Sequence, residues 1–264
     1  MNDPRNGVTY SVEGRVGIVT FSRPPSNYFD VDLIEALADT LEEIDGDDGL
    51  GAVLLRSAGK VFCAGANFSG SEGDNAGRGQ RGDLSDPSEL YRKAVRLFRT
   101  RKPIVVAIQG AAIGGGLGLA MIGDFRVAAL EARFAGNFVK IGIHPGFGLT
   151  YLLPLTIGRQ EAATLLLTGR RIDGAEAGRI GLADIVVPLH DLERAALELA
   201  QEIAGAAPLA LEATRATLRR GLADAIAAQT EHECREQIRL FKTEDFKEGV
   251  AAVAERRPGR WRRA

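Results

Sequence analysis

Short β-branched runs over 8–13 and 15–21, divided by Gly14, predict a β-hairpin at the start of the chain. After the turn SRPPSN, Asp30 is placed to cap a helix. Its apolar positions Leu33, Ile34, Leu37, Leu41 and Ile44 recur at helical spacing and stop near Gly46. Residues 52–55 and 104–109 are apolar without polar alternation, as expected of strands covered on both faces, and 125–129 adds another strand. Strands alternating with helices in this order predict right-handed βαβ crossovers and a mostly parallel sheet. From Tyr151 onward the strand signal fades except at 184–187, and helices are predicted over 191–204, 208–228 and 231–255. Between Ser69 and Asp86 glycine, small polar and charged residues leave almost nothing to bury, which predicts a surface loop.

Residues 103–123 are uncharged and long enough to suggest a membrane span, yet they hold six glycines, an opening proline and Gln109. A buried strand, a glycine-rich turn and a buried helix ending near Gly123 fit better. The whole chain has 264 residues, 45% of them apolar and 26% charged, which suits one large soluble α/β domain and excludes a short disulfide scaffold. Its net charge of -2 provides no global field for nucleic acid or an anionic membrane, so neither partner is expected. Two distant cysteines, Cys63 and Cys234, and an opening without a basic-then-apolar export signal favour the cytoplasm. The arginine-rich tail over 256–263 reads as a solvated terminus.

Common catalytic signatures are absent: no phosphate-binding GxxxxGK[ST], no GxSxG elbow and no HExxH zinc helix. Leu119 and Met121 stand where a third glycine of GxGxxG would fall, against a dinucleotide site, and the three histidines lie too far apart in sequence to suggest a metal. Two glycine-containing turns remain, FCAGAN over 62–67 and GAAIGGG over 110–116, each directly after an apolar strand. Small residues let backbone amides approach a ligand, and amides at a helix start point outward, so such turns can hold an oxyanion. They serve equally well as tight strand-to-helix packing, and the residues alone leave both readings open.

These segments, in order, resemble the crotonase superfamily, the enoyl-CoA hydratase/isomerase family. The resemblance rests on SRPPSN, FCAGAN, GAAIGGGLGLAMIGDF, IGIHPGFGLTYLLP over 141–154, LTGRRIDGAEAGRIGLAD over 167–184 and TEDFKEGVAAVAERR over 243–257, and covers nearly the entire chain. It implies an α/β fold of the crotonase-like (ClpP/crotonase) type, a spiral of ββα units. Residues 1–200 would form that core with an acyl-CoA pocket, and 201–264 a helical region for assembly into trimers or pairs of trimers. The implied substrate is an acyl-CoA thioester, with coenzyme A part of the substrate and no separate cofactor. By position, the backbone amides of Ala66 and Gly115 form the oxyanion hole. Pro25, Asn27, Ala64, Asn67 and Phe138 fall on segments that contact substrate. A bulky residue at Gly115 is expected to close the hole while leaving the fold intact.

The sequence departs from the family at its acid–base positions. Matching through GGG and IGIHPG puts Gly118 and Phe138 where hydratases carry two glutamates, and Gly146 where some isomerases carry aspartate. His144 is the nearest conspicuous titratable residue and is a candidate base, although a loop histidine bonding its own backbone is the plainer reading. Glu72, Asp74 and Asp83 are candidates to enter the pocket from the 69–86 loop. Asn67 is placed to cap the following helix, and Cys63 reads as a buried inert thiol. The expectation is an enolate-stabilising enzyme of this family without ordinary hydration. The alternatives are decarboxylation or thioester hydrolysis on the same fold and, from another class, non-catalytic acyl-CoA binding.

Overall fold

The computed structural model describes residues 6–68 and 86–264; Glu72, Asp74 and Asp83 lie outside them. β1 (Val8–Glu13) and β2 (Val16–Phe21) form the expected hairpin, with Val8 opposite Phe21 and Gly14 turning the chain at φ +60°. α1 (Val31–Asp45) starts where its cap predicts, the Asp30 carboxylate accepting from the Leu33 amide at 2.9 Å. β3 (Ala52–Ser57), α2 (Ser88–Arg96) and β4 (Ile104–Ile108) follow. Next come β5 (Ala111–Ile113), α3 (Gly115–Ala120), β6 (Phe125–Ala129) and β7 (Arg133–Ala135). A 3-10 helix over Asn137–Ile141 leads to α4 (Leu149–Thr168), interrupted at Gly158. β8 (Arg171–Asp173), α5 (Gly174–Arg179), β9 (Ile185–Val187) and α6 (Leu192–Ala204) precede the closing helices α7 (Pro208–Leu218), α8 (Leu222–Leu240) and α9 (Glu244–Ala254).

The main sheet runs β1-β2-β3-β4-β6-β9 and is parallel except for the hairpin. A second, three-stranded sheet runs β5-β7-β8. One face of the main sheet carries the larger core, with Leu33, Leu37, Leu41, Leu55 and Ile108 fully buried. The other face is closed by α6, whose Ala196, Ala200 and Ala204 at one-turn spacing bring its backbone close to β3. Burial on both faces explains why β3 and β4 carry apolar runs without alternation.

Residues 103–123 build β4, β5 and α3, in keeping with the strand, turn and helix expected there, and no helix among the described residues is long and apolar enough to cross a membrane. Two other expectations are corrected. The helices predicted over 208–228 and 231–255 are three helices, broken before Gly221 at φ +77° and again before Thr243, which caps α9 by accepting from the Phe246 amide. The tail is not free in solvent: the Arg260 amide donates to Glu248, those of Arg262 and Arg263 donate to Asp245, and Arg257 pairs with Glu248. Glu248 and Asp245 both lie on α9, so the tail runs along that helix.

α7 is tied to the sheet by charge rather than apolar packing. Arg215 and Arg219 each reach Asp124 at 2.9 Å, and Asp124 also accepts from the Ile104 amide at the start of β4. Leu209 and Leu218 on the same helix remain 83% and 82% exposed.

Candidate active site

The two glycine-containing turns meet. The segment around Cys63 pairs with β5: Cys63 N donates to Ala111 O at 2.9 Å and Ile113 N to Cys63 O at 3.0 Å. The chain then turns at Gly65, where φ is +83° and a Cβ would lie 2.9 Å from the Ile113 carbonyl oxygen and 3.3 Å from the Gly115 amide nitrogen. Both the left-handed conformation and the close approach require glycine here. The amides of Gly114 and Leu117 donate within the protein, to Ala135 and Gly114. Gly115, as the first residue of α3, has no preceding helical carbonyl to take its N–H. α3 is only six residues long, so its local amides matter more than any macrodipole.

Ala66 and Gly115 line one cavity of about 350 Å³. Phe29, Phe68, Phe138, Ile143 and Phe241 supply its apolar wall, and Tyr91 and Gln237 are buried polar side chains facing it. Gln237 and Phe241 belong to the region after residue 201, which thus contributes to the cavity wall. Asp30 also reaches it, but its carboxylate caps α1 and pairs with Arg23 at 2.6 Å.

Phe138 sits on the 3-10 helix with its ring end 3.7 Å from the Cβ position of Gly114, filling the wall as an apolar side chain. At Gly118 a Cβ would lie 2.5 Å from Phe147 Cβ and 2.7 Å from its Cγ. The space a side chain at 118 would enter is therefore occupied by Phe147, itself held at φ +62°. Gly146 is filled in the same way, by the Tyr91 hydroxyl. All three positions that matched acid–base residues are thus closed by rings. The sequence reading could not show that the Phe147 ring and the Tyr91 hydroxyl fill the space beside Gly118 and Gly146.

The remaining candidates separate. The Asn27 carboxamide is buried and accepts from the Arg23 amide while donating to the carbonyls of Ala58 and Val61 at 2.8 and 2.7 Å. These bonds clamp the SRPPSN turn onto the segment leading to FCAGAN, so the side chain has a structural role rather than the expected contact with substrate. Pro25 is exposed, and Ala64 lies beside it through its amide, which donates to Ser26 O at 3.1 Å. Asn67 is buried and precedes no described helix. His144 is not brought to the cavity: its Nδ1 lies 2.7 Å from the Pro145 carbonyl oxygen, and its ring packs edge-on against His232. Burial pushes the Cys63 thiol up to about 12, consistent with an inert core residue.

Glu233, which sequence reasoning missed, holds the loop behind the cavity. From α8 its carboxylate accepts from the Gly148 amide at 2.7 Å, the Thr150 amide at 3.0 Å and the Thr150 hydroxyl, capping α4 from another element. Burial raises its carboxyl to about 7, against the lowering effect of these donors. A folded-state value above the unfolded one means that the folded protein binds the proton more tightly. Stability linked to this group is therefore greatest below about pH 4.5 and declines as pH rises towards 7. Glu233→Ala leaves two buried amides without their acceptor and is expected to cost about 2–4 kcal/mol in denaturant unfolding. The gap to wild type should narrow between about pH 5 and 8. A gap independent of pH would contradict this titration.

The chain belongs to the enoyl-CoA hydratase/isomerase family, whose profile matches residues 11–264. It is 35% identical over 254 residues to a short-chain-enoyl-CoA hydratase of Clostridium acetobutylicum, covering 96% of each chain. It is 36% identical to a probable enoyl-CoA hydratase of Rhizobium meliloti, covering 93% of each. Among solved structures, the carnitinyl-CoA hydratase of Mycobacterium avium superposes with a TM-score of 0.84 at 32% identity, over 98% of this chain and 100% of that one. The enoyl-CoA hydratase/isomerase of Pseudoalteromonas atlantica gives 0.84 at 31%, over 97% and 100%. These neighbours establish the crotonase fold and make the chain an enzyme of this family.

Proposed function

We propose that the protein binds acyl-CoA thioesters and stabilises an enolate through the amides of Ala66 and Gly115, by a reaction that does not depend on the family's paired glutamates. The observation that carries this reading is the convergence of the two turns: the Cβ position of Gly65 is 3.3 Å from the Gly115 amide, and Ala66 and Gly115 face one cavity. Forming an enolate puts negative charge on the thioester oxygen. Amides fixed by β5 and by the Gly65 turn would stabilise that charge without reorganising. Loss of one such donor typically costs about 10²–10³ in rate. Aromatic and aliphatic walls suit the acyl chain, and the Pro25–Ala64 surface is assigned to the coenzyme A end.

A second reading, decarboxylation, is favoured by the rings that close positions 118, 138 and 146. Loss of CO₂ generates the enolate without a strong base. Assembly into trimers or pairs of trimers is supported by Leu155, Leu167, Leu209 and Leu218, each more than 60% exposed on α4 or α7.

Incubation with crotonyl-CoA, a malonyl-type CoA ester and a saturated acyl-CoA, followed by mass spectrometry, tests the reading. Turnover of a thioester without fast water addition to crotonyl-CoA is expected. Product from the malonyl-type ester alone selects decarboxylation. Binding of all three without turnover makes the protein a binding module, and hydration at rates typical of glutamate-bearing relatives refutes the assignment of Gly118 and Phe138.

A further inference from the structure

Gly146 leaves a space that two other elements fill. A Cβ there would overlap the Tyr91 hydroxyl and lie 2.7 Å from Gln237 Nε2. Tyr91 comes from α2 and Gln237 from α8, and at 7% and 3% exposure both are buried while lining the cavity shared by Ala66 and Gly115. The phenol donates to Gln237 Oε1 at 2.8 Å, and Gln237 Nε2 donates to the His144 carbonyl at 2.8 Å. A carbonyl only accepts, so the second bond fixes which way the amide faces. Burial, reinforced by the neighbouring Glu233 carboxylate, holds the phenol well above its ordinary range, so it stays neutral.

The donor and acceptor inventory then leaves a specific remainder. A phenol oxygen has one O–H, committed to Gln237, and two lone pairs that can accept. A carboxamide nitrogen has two N–H groups, one committed to His144. The phenol oxygen, an acceptor, stands beside the remaining amide N–H, a donor, in a wall that also carries Asp30, Asp86, Ser88, Glu89 and Arg92. An alcohol, which donates once and accepts, matches that pair. A carboxylate only accepts, cannot use the phenol lone pair and would be desolvated.

We propose that Tyr91 and Gln237 form a hydroxyl-recognition subsite that selects acyl thioesters bearing a neutral hydroxyl on the acyl chain over unsubstituted chains of the same length. The inference rests on the thioester reading above, which places the acyl chain in this cavity. The position also explains why Gly146 carries no side chain: any Cβ there would displace the phenol.

Calorimetric titration with 3-hydroxybutyryl-CoA and butyryl-CoA tests it on wild type, Tyr91→Phe and Gln237→Leu. Wild type is expected to bind the hydroxylated thioester about tenfold more tightly, the effect of one to two neutral hydrogen bonds. Each variant should bring that ratio to within about threefold, as one of the two bonds is lost. The wild-type ratio needs no variant and decides the matter even if both substitutions unfold the protein. Equal affinities in wild type, or a ratio preserved in a folded variant, would overturn the subsite. Failure of wild type to bind either thioester is a different result, which removes the thioester reading and the subsite with it.

Discussion

Gly115→Val is expected to lower thioester turnover by at least about 10²-fold and, in addition, to destabilise the protein by about 1–3 kcal/mol. The sequence alone suggests that the hole would close with the fold intact. The structure corrects the second half with a steric cost, because a Cβ at Gly115 overlaps the end of the Phe29 ring. Phe29 is 4% exposed and packs against Phe147 with ring centroids 5.6 Å apart, so it cannot swing away freely. Denaturant unfolding and steady-state rates separate the two effects. Adding Phe29→Leu should restore much of the stability and little of the activity, since the new side chain still crowds the amide. Wild-type turnover in the single variant would exclude the Gly115 amide from the reaction.

Gly118→Glu, the simplest attempt to install a hydratase carboxylate, is expected to cost about 3 kcal/mol or more and to leave the protein largely insoluble, by overpacking and by burying an unpaired charge. Phe147 Cβ stands 2.5 Å from where the new Cβ would be. Pairing the change with Phe147→Gly removes the ring and suits a backbone already at φ +62°, a conformation glycine adopts readily. Soluble yield and unfolding midpoints of the single and double variants provide the check. A single variant as stable as wild type would show that Phe147 does not block position 118.

The parts of the fold legible in the sequence were those with strong local signals. Gly14 between two β-branched runs marked the hairpin, and Asp30 followed by Leu33, Leu37, Leu41 and Ile44 marked α1 within a residue or two. β5, β7 and β8 were missed as strands because three residues are too few to show alternation. The breaks between α7, α8 and α9 were missed because alanine-rich helical periodicity runs on across a short interruption. In the site, the two turns were visible as small residues following apolar strands, and the family resemblance, not the residues alone, chose between tight packing and an oxyanion role. Tyr91 and Gln237 were not, for 146 positions separate them and each reads alone as an ordinary helix residue. Glu233 was hidden for the same reason: its partners belong to the start of a different helix.

The interlock of Gly146 with Tyr91 constrains which neighbouring sequences the protein can reach. Adding any side chain at 146 first meets the phenol. Shrinking Tyr91 first leaves a hole where a buried aromatic ring stood, a change on the order of 3–5 kcal/mol, a large share of a domain's total stability. Either order of substitution passes through a crippled intermediate. Gradual, one-step mutation can therefore reshape the rest of the wall while these paired positions stay fixed, like a ratchet that moves only when two teeth are lifted together.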